Sequence, residues 1–186
     1  MKQICAVSDL HLFCKRSEAH RYTASLDRAI AEAEVCVLNG DIFDFRWSVF
    51  ESVGETVHEA ISWLDRIIAR HPHCEFHYIF GNHDSVKVFI DALDAYAAQT
   101  ERLTCHHDLF RLNGAVFLHG DVADRKMTQA EFEAARRVWH YDRQRGKVVN
   151  RAYDLAMWLG AHRTIPRLVF PRQVVAERLV HYLDHV

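Results

Sequence analysis

Short apolar runs alternate with amphipathic stretches along the first hundred residues. Ile4-Cys5-Ala6-Val7, Val35-Cys36-Val37-Leu38 and Phe76-His77-Tyr78-Ile79-Phe80 have strand length and carry β-branched or aromatic residues. Between them, residues 18–34 repeat Leu26, Ile30 and Ala33 at helical spacing. Residues 53–70 do the same with Val57, Ala60, Ile61, Leu64 and Ile68, and Pro72 follows as a stop. A third helix is predicted over 85–98, with Ser85 as its cap and Val86, Phe89, Ile90, Leu93 and Tyr96 on one face. This alternation predicts parallel βαβ units and an α/β fold class. Near residue 102 the rhythm changes to a hairpin: Leu109–Leu112, the turn Asn113-Gly114, then Ala115–Leu118. Helical patterns return over 128–143, about 149–159 and 173–185, and Pro166 and Pro171 bracket a short extended stretch.

Four apolar runs end in polar motifs: Ser8-Asp9-Leu10-His11, Asn39-Gly40-Asp41, Gly81-Asn82-His83-Asp84 and His119-Gly120-Asp121. Open α/β sheets hold their ligands at the carboxyl ends of strands. Carboxylate and amide oxygens mixed with imidazole nitrogens suit a divalent Mn, Fe or Zn ion. Asp9 and His11, two residues apart as a strand runs out, are expected to point to one side. Gly40 permits a sharp turn and a close backbone approach, and Asp41, with two oxygens, is the natural shared ligand. Asn82 and His119 begin a second metal position. Two ions about 3.5–4 Å apart would clamp a phosphoryl group and lower the pKa of a bridging water. His83 is then available to protonate a leaving oxygen, with Asp84 holding its other ring nitrogen. Asp44 reads as a supporting carboxylate or a helix-start residue. His71, His73, His77, His106 and His107 read as surface or packing histidines.

Composition narrows the picture. With 186 residues, 49% of them hydrophobic, the chain can bury one sizeable core. The single domain divides into a motif-bearing core over 1–121, a helical insertion over 122–165 and a return helix over 166–186. The net charge of -2 argues against a nucleic-acid ligand. Residues 1–120 hold 11 Lys+Arg against 17 Asp+Glu, whereas residues 121–186 hold 12 against 8. The acidic part thus carries the motifs, as a cation site requires. No apolar run reaches membrane-spanning length and no leader is evident. Five cysteines without CxxC spacing suggest a reduced, cytoplasmic chain.

The ordered set SDLH, GDIFD, GNHD and HGD resembles the calcineurin-like metallophosphoesterases. The resemblance covers residues 1–121 and implies a β-sandwich flanked by helices. It implies two divalent ions, one held by Asp9, His11 and Asp41 and the other by Asp41, Asn82 and His119, with His83 and Asp84 as catalytic dyad. The helical stretch 122–165 resembles the insertion of UDP-2,3-diacylglucosamine hydrolases. There Arg136, Arg137, Arg143, Arg145, Lys147 and Arg151 could receive a pyrophosphate, with Arg143, Arg145 and Arg151 as the substrate-binding set. Such a substrate is a phosphorylated small molecule or contains a nucleotide. The family closes its site with a late Gly-His-x-His motif, which this sequence lacks. The chain therefore reads as truncated or naturally opened; His181 and His185, spaced i,i+4, could substitute for the lost pair, although such spacing is common on solvated helices. The alternative to an enzyme is a catalytically weak metal-binding or interaction module.

Overall fold

The computed structural model describes residues 2–146, 149–150 and 170–186. Strands β1 (Ile4–Val7), β2 (Val35–Asn39), β3 (Glu75–Ile79) and β4 (Leu103–His106) form a parallel sheet in the order β1-β2-β3-β4. Helices α1 (Thr23–Glu32), α2 (Val53–Arg70) and α3 (Lys87–Ala97) provide the crossovers. Strands β5 (Leu109–Leu112) and β6 (Ala115–Leu118) form an antiparallel hairpin. Its turn residues Asn113 and Gly114 both have positive φ, at 51° and 82°, as a two-residue turn matched to strand twist requires. Helix α4 (Gln129–Trp139) opens on a capping box between Thr128 and Glu131, and α5 (Arg172–Leu183) closes the described chain.

Strand β2 shows how the layers arise. A period of two sends Cys36 and Leu38 into the cluster beneath the helices, with Phe76, Tyr78, Leu64 and Phe89. Val35 and Val37 face the other way and pack with Ile79, Phe110, Leu112 and Phe117 of β3 and the hairpin. Both faces of the sheet are therefore covered, which explains the near-continuous apolar run of β2. The result is two facing sheets, with α1–α3 packed on the outer face of the parallel sheet and α4 and α5 packed against Leu109 and Leu118 of the hairpin, a mixed α/β fold.

Two sequence expectations need correction. Residues 103–106 extend the parallel sheet on β3, so the antiparallel region begins later than residue 102. Ser85 does not cap α3: its hydroxyl donates back to the Gly81 carbonyl at 2.5 Å, and Val86 occupies the cap position without a side-chain bond. The expected helix over 149–159 and the stretch between Pro166 and Pro171 fall largely outside the described residues. No helix among the described residues is long and apolar enough to cross a membrane.

Candidate metal centre

The loops after β1, β2 and β3 leave the same end of the parallel sheet. The first two are sewn together by backbone bonds: Asp9 N–H to Gly40 O (3.1 Å), His11 N–H to Asp41 O (2.9 Å) and Leu12 N–H to Ile42 O (2.8 Å). The facing sheet joins them where the Asn39 side chain donates to the Leu118 carbonyl (3.0 Å), immediately before His119. This last bond brings the hairpin's motif to the other three.

Asp9, His11 and Asp41 adopt left-handed backbone, with φ of 56°, 45° and 52°. Asp and His tolerate this region better than most residues, yet each such position costs about 1–3 kcal/mol unless its surroundings hold it. Asp9 and His11 do reach a common point, but not by strand alternation, since β1 ends at Val7. Two consecutive turns do the aiming instead. Ligand atoms of Asp9, His11 and Asp41 lie within 4.8 Å of one another.

Asp41 is the pivot. Its Oδ1 accepts the His83 backbone N–H at 2.8 Å. That leaves Oδ2 facing two imidazoles, 3.8 Å from His11 Nε2 and 3.7 Å from His119 Nε2. His119 Nε2 also lies 3.8 Å from Asp9 Oδ1. Asn82 is half-buried between Gly81, which packs on Asp41, and His83. Two glycines make this crowding possible. A Cβ on Gly40, whose φ is +79°, would stand 2.5 Å from the His119 ring, and one on Gly81 would stand 2.2 Å from Asp41 Oδ1. We expect Gly81→Ala to destabilise the fold by about 1–3 kcal/mol through overpacking. It should also weaken divalent-metal binding, as thermal melts with and without Mn²⁺ would show.

Supporting contacts orient the imidazoles. His119 Nδ1 sits 3.2 Å from Asp121 Oδ1, and Asp121 Oδ2 pairs with Arg136 at 3.1 Å. Arg136 is itself buried, with bonds to the Phe80 and His107 carbonyls and its guanidinium over Phe132. Arg136 therefore anchors the His119 support and cannot serve as an open pyrophosphate receptor. Burial works against a charged His119, but Asp121 and Asp9 outweigh it and raise its pKa to about 10. The His119 contact in turn lowers Asp9 to about 2.

His83 finds a carboxylate, though not the neighbour expected. Its Nδ1 lies 3.1 Å from Asp44 Oδ1, and Asp44 Oδ2 lies 3.4 Å from His11 Nδ1. The His11 and His83 rings meet edge to face, 4.7 Å apart. Asp44 is buried and also accepts the Arg46 and Trp47 N–H groups, which fixes its carboxylate. Burial would raise the Asp44 carboxyl, but His11 and His83 hold it well below the usual range. Asp84 is spent elsewhere, accepting from Ile42 N–H, Gly81 N–H and the Tyr78 hydroxyl at 2.9, 2.6 and 2.6 Å. Burial and the Asp41 charge raise Asp84 to about 6. Sequence reasoning missed this partnership because Asp44 and His83 meet only through tertiary packing.

A cavity of about 520 Å³ opens on Asp9, His11, Asp44 and His83, and Arg16 and Trp47 line it too. Arg16 stacks over Trp47 at 5.0 Å and donates to Asn150. Of the arginines expected to bind substrate, the described Arg143 and Arg145 do not line this cavity. Arg143 is exposed, and Arg145 pairs with Asp142 at 3.0 Å and borders the adjoining cavity beyond Trp47. Arg151 and Lys147 lie outside the described residues. His181 and His185 form a local pair on α5, with His185 Nδ1 bonded to the His181 carbonyl. Neither belongs to a metal-competent cluster among the described residues.

The calcineurin-like phosphoesterase family matches residues 2–166. The chain belongs to that family. Its members act on phosphorylated substrates with a dinuclear divalent centre. Among curated proteins no relative matches the chain. The residues present suit such a centre. His11 is shared by two ligand clusters, one with Asp9 and Asp41 and one with Asp44 and His83, and the buried Nδ1 atoms of His11, His83 and His119 meet carboxylates without an aligned hydrogen bond. Charge of one sign gathered beside imidazoles calls for cations.

Proposed function

We propose that this chain is a metal-dependent phosphoesterase, cleaving a phosphomonoester, phosphodiester or pyrophosphate bond of a small or nucleotide-containing substrate. The observation that carries the reading is Asp41 Oδ2 placed between the His11 and His119 imidazoles. Asp9, His11 and Asp41 would hold one divalent ion, and Asp41, Asn82 and His119 the other. When bound, such ions polarise the phosphoryl oxygens and make a coordinated water acidic enough to attack at neutral pH. His83, oriented by Asp44 through Nδ1, presents Nε2 to protonate the leaving oxygen. Asp84 braces the loop that carries His83 through the Gly81 and Ile42 amides. Arg16, in the same cavity, meets the anionic or planar part of the substrate beside Trp47.

One observation favours a second reading, a weak or inactive metal-binding module. The sequence contains no Gly-His-x-His motif, so each ion keeps three protein ligands with Asp41 counted at both. The two readings separate in one experiment, metal titration by calorimetry alongside hydrolysis of an aryl phosphate with Mn²⁺, Fe²⁺ or Zn²⁺. Two ions per chain and metal-dependent turnover support the esterase, even if slow. Binding without turnover leaves the module, and no binding removes both.

A further inference from the structure

Away from the metal centre, strands β1 and β2 place Cys5 directly opposite Cys36. Adjacent strands run about 4.8 Å apart, and a parallel pair at matched register points to one face. Both side chains stand on the helix-covered face, in the same core cluster. Disulfides span Cα separations of about 4.4–6.8 Å, a range that contains the spacing of neighbouring strands, and closing one here draws the two Cβ atoms together to about 3.5–4.5 Å. The two thiols differ in access. Cys36 is fully buried, whereas Cys5 is half-buried and lines an apolar cavity of about 280 Å³ with Leu10, Leu12, Tyr22, Leu26 and Trp63. A small neutral oxidant can therefore reach Cys5 first.

The thiols also differ in charge. The hydrogen bond with Cys36 lowers Cys5 to about 7, against the effect of burial. The same bond, with burial, raises Cys36, so the shared proton stays on Cys36. Burial raises Cys14, and it takes Cys74 to about 11 and Cys105 to about 12. Among the five cysteines, Cys5 alone is shifted toward the nucleophilic thiolate.

We propose that Cys5 and Cys36 form a peroxide-sensitive dithiol that closes into a disulfide between β1 and β2. The Cys5 thiolate attacks one oxygen of hydrogen peroxide. The O–O bond breaks, and the departing hydroxide takes a proton from solvent to become water, leaving a sulfenic acid on Cys5. Cys36 Sγ then attacks Cys5 Sγ. The S–O bond breaks, and the Cys36 proton leaves with the hydroxyl as a second water. Two thiols lose two electrons and one peroxide becomes two waters. The bond would join the strands that run on into the Asp9–His11 and Asp41 loops, tying redox state to the base of the metal centre.

The test treats the reduced full chain with hydrogen peroxide, blocks remaining thiols and maps peptides without reductant. A Cys5–Cys36 linked peptide is expected, forming at least about tenfold faster than oxidation of Cys14, Cys74 or Cys105. In Cys36→Ser a dimedone adduct should accumulate on Cys5, whereas Cys5→Ser should leave Cys36 unmodified. Alkylation of the unsubstituted chain needs no variant, and the Cys5 rate should rise with a midpoint near pH 7. Peroxide reacting first at another cysteine, or a Cys5 sulfenic acid that persists in the unsubstituted chain without closing, would overturn the proposal.

Discussion

Asp41→Asn should abolish phosphoesterase activity with little change in the stability of the metal-free fold. The amide oxygen can still accept the His83 N–H that Oδ1 now accepts, so the loop keeps its bond. The other atom becomes an NH₂, a donor turned toward the His11 and His119 imidazoles where a shared ligand oxygen is required. Both proposed ions lose a ligand at once. We expect kcat/KM for an aryl phosphate to fall by at least about 10³-fold, roughly 4 kcal/mol of transition-state stabilisation. Bound metal measured by mass spectrometry should fall in parallel. The metal-free melting temperature should change little, because relief of the charge that raises Asp84 is offset by loss of the charge that faces His11 and His119. A variant that retains its metal and its rate would remove Asp41 from the centre.

Much of this architecture was legible because local pattern and tertiary burial agree. Helix α2 spans Val53–Arg70 as its spacing predicts, with Ser52 as cap and Thr56, Ala60, Leu64, Ile67 and Ile68 buried. The Asn113-Gly114 turn needed only its own chemistry. Strand β4 was illegible for the opposite reason: of Leu103, Thr104, Cys105 and His106, only Leu103 is fully buried, so no apolar run announces it. The strand-end motifs picked out Asp9, His11 and Asp41, whose neighbouring parallel strands end on one side of the sheet, and His119, which the facing hairpin brings to them. How they gather was not legible. Left-handed turns at Asp9 and His11, the Asp121–Arg136 support behind His119 and the Asp44–His83 contact all join residues distant in sequence or conformations that spacing does not encode. Adjacency made Asp84 look like the partner of His83. The chain instead turns so that Asp84 points inward to Tyr78 while His83 faces Asp44.

The Asp44–His83 contact carries the second large effect. Replacing His83 by Ala should lower kcat by about 10²–10⁴-fold, the range for loss of a positioned proton donor, with little change in bound metal. Asp44→Asn keeps the size of the side chain but removes the charge that faces both His83 Nδ1 and His11 Nδ1. A loss of about 10–100-fold in kcat is expected from the misoriented imidazole, with some weakening of metal binding through His11. If Asp44 acts through His83, the two substitutions together should cost little more in kcat than His83→Ala alone. Asp84→Asn is the contrast, since it disturbs buried bonds to Tyr78, Gly81 and Ile42. Its cost should appear first as about 1–3 kcal/mol of stability. Fully additive losses in the Asp44–His83 cycle would mean that the two residues serve separate steps. Lost metal in His83→Ala would make its imidazole a ligand, leaving the leaving oxygen to be protonated from another group in the cavity.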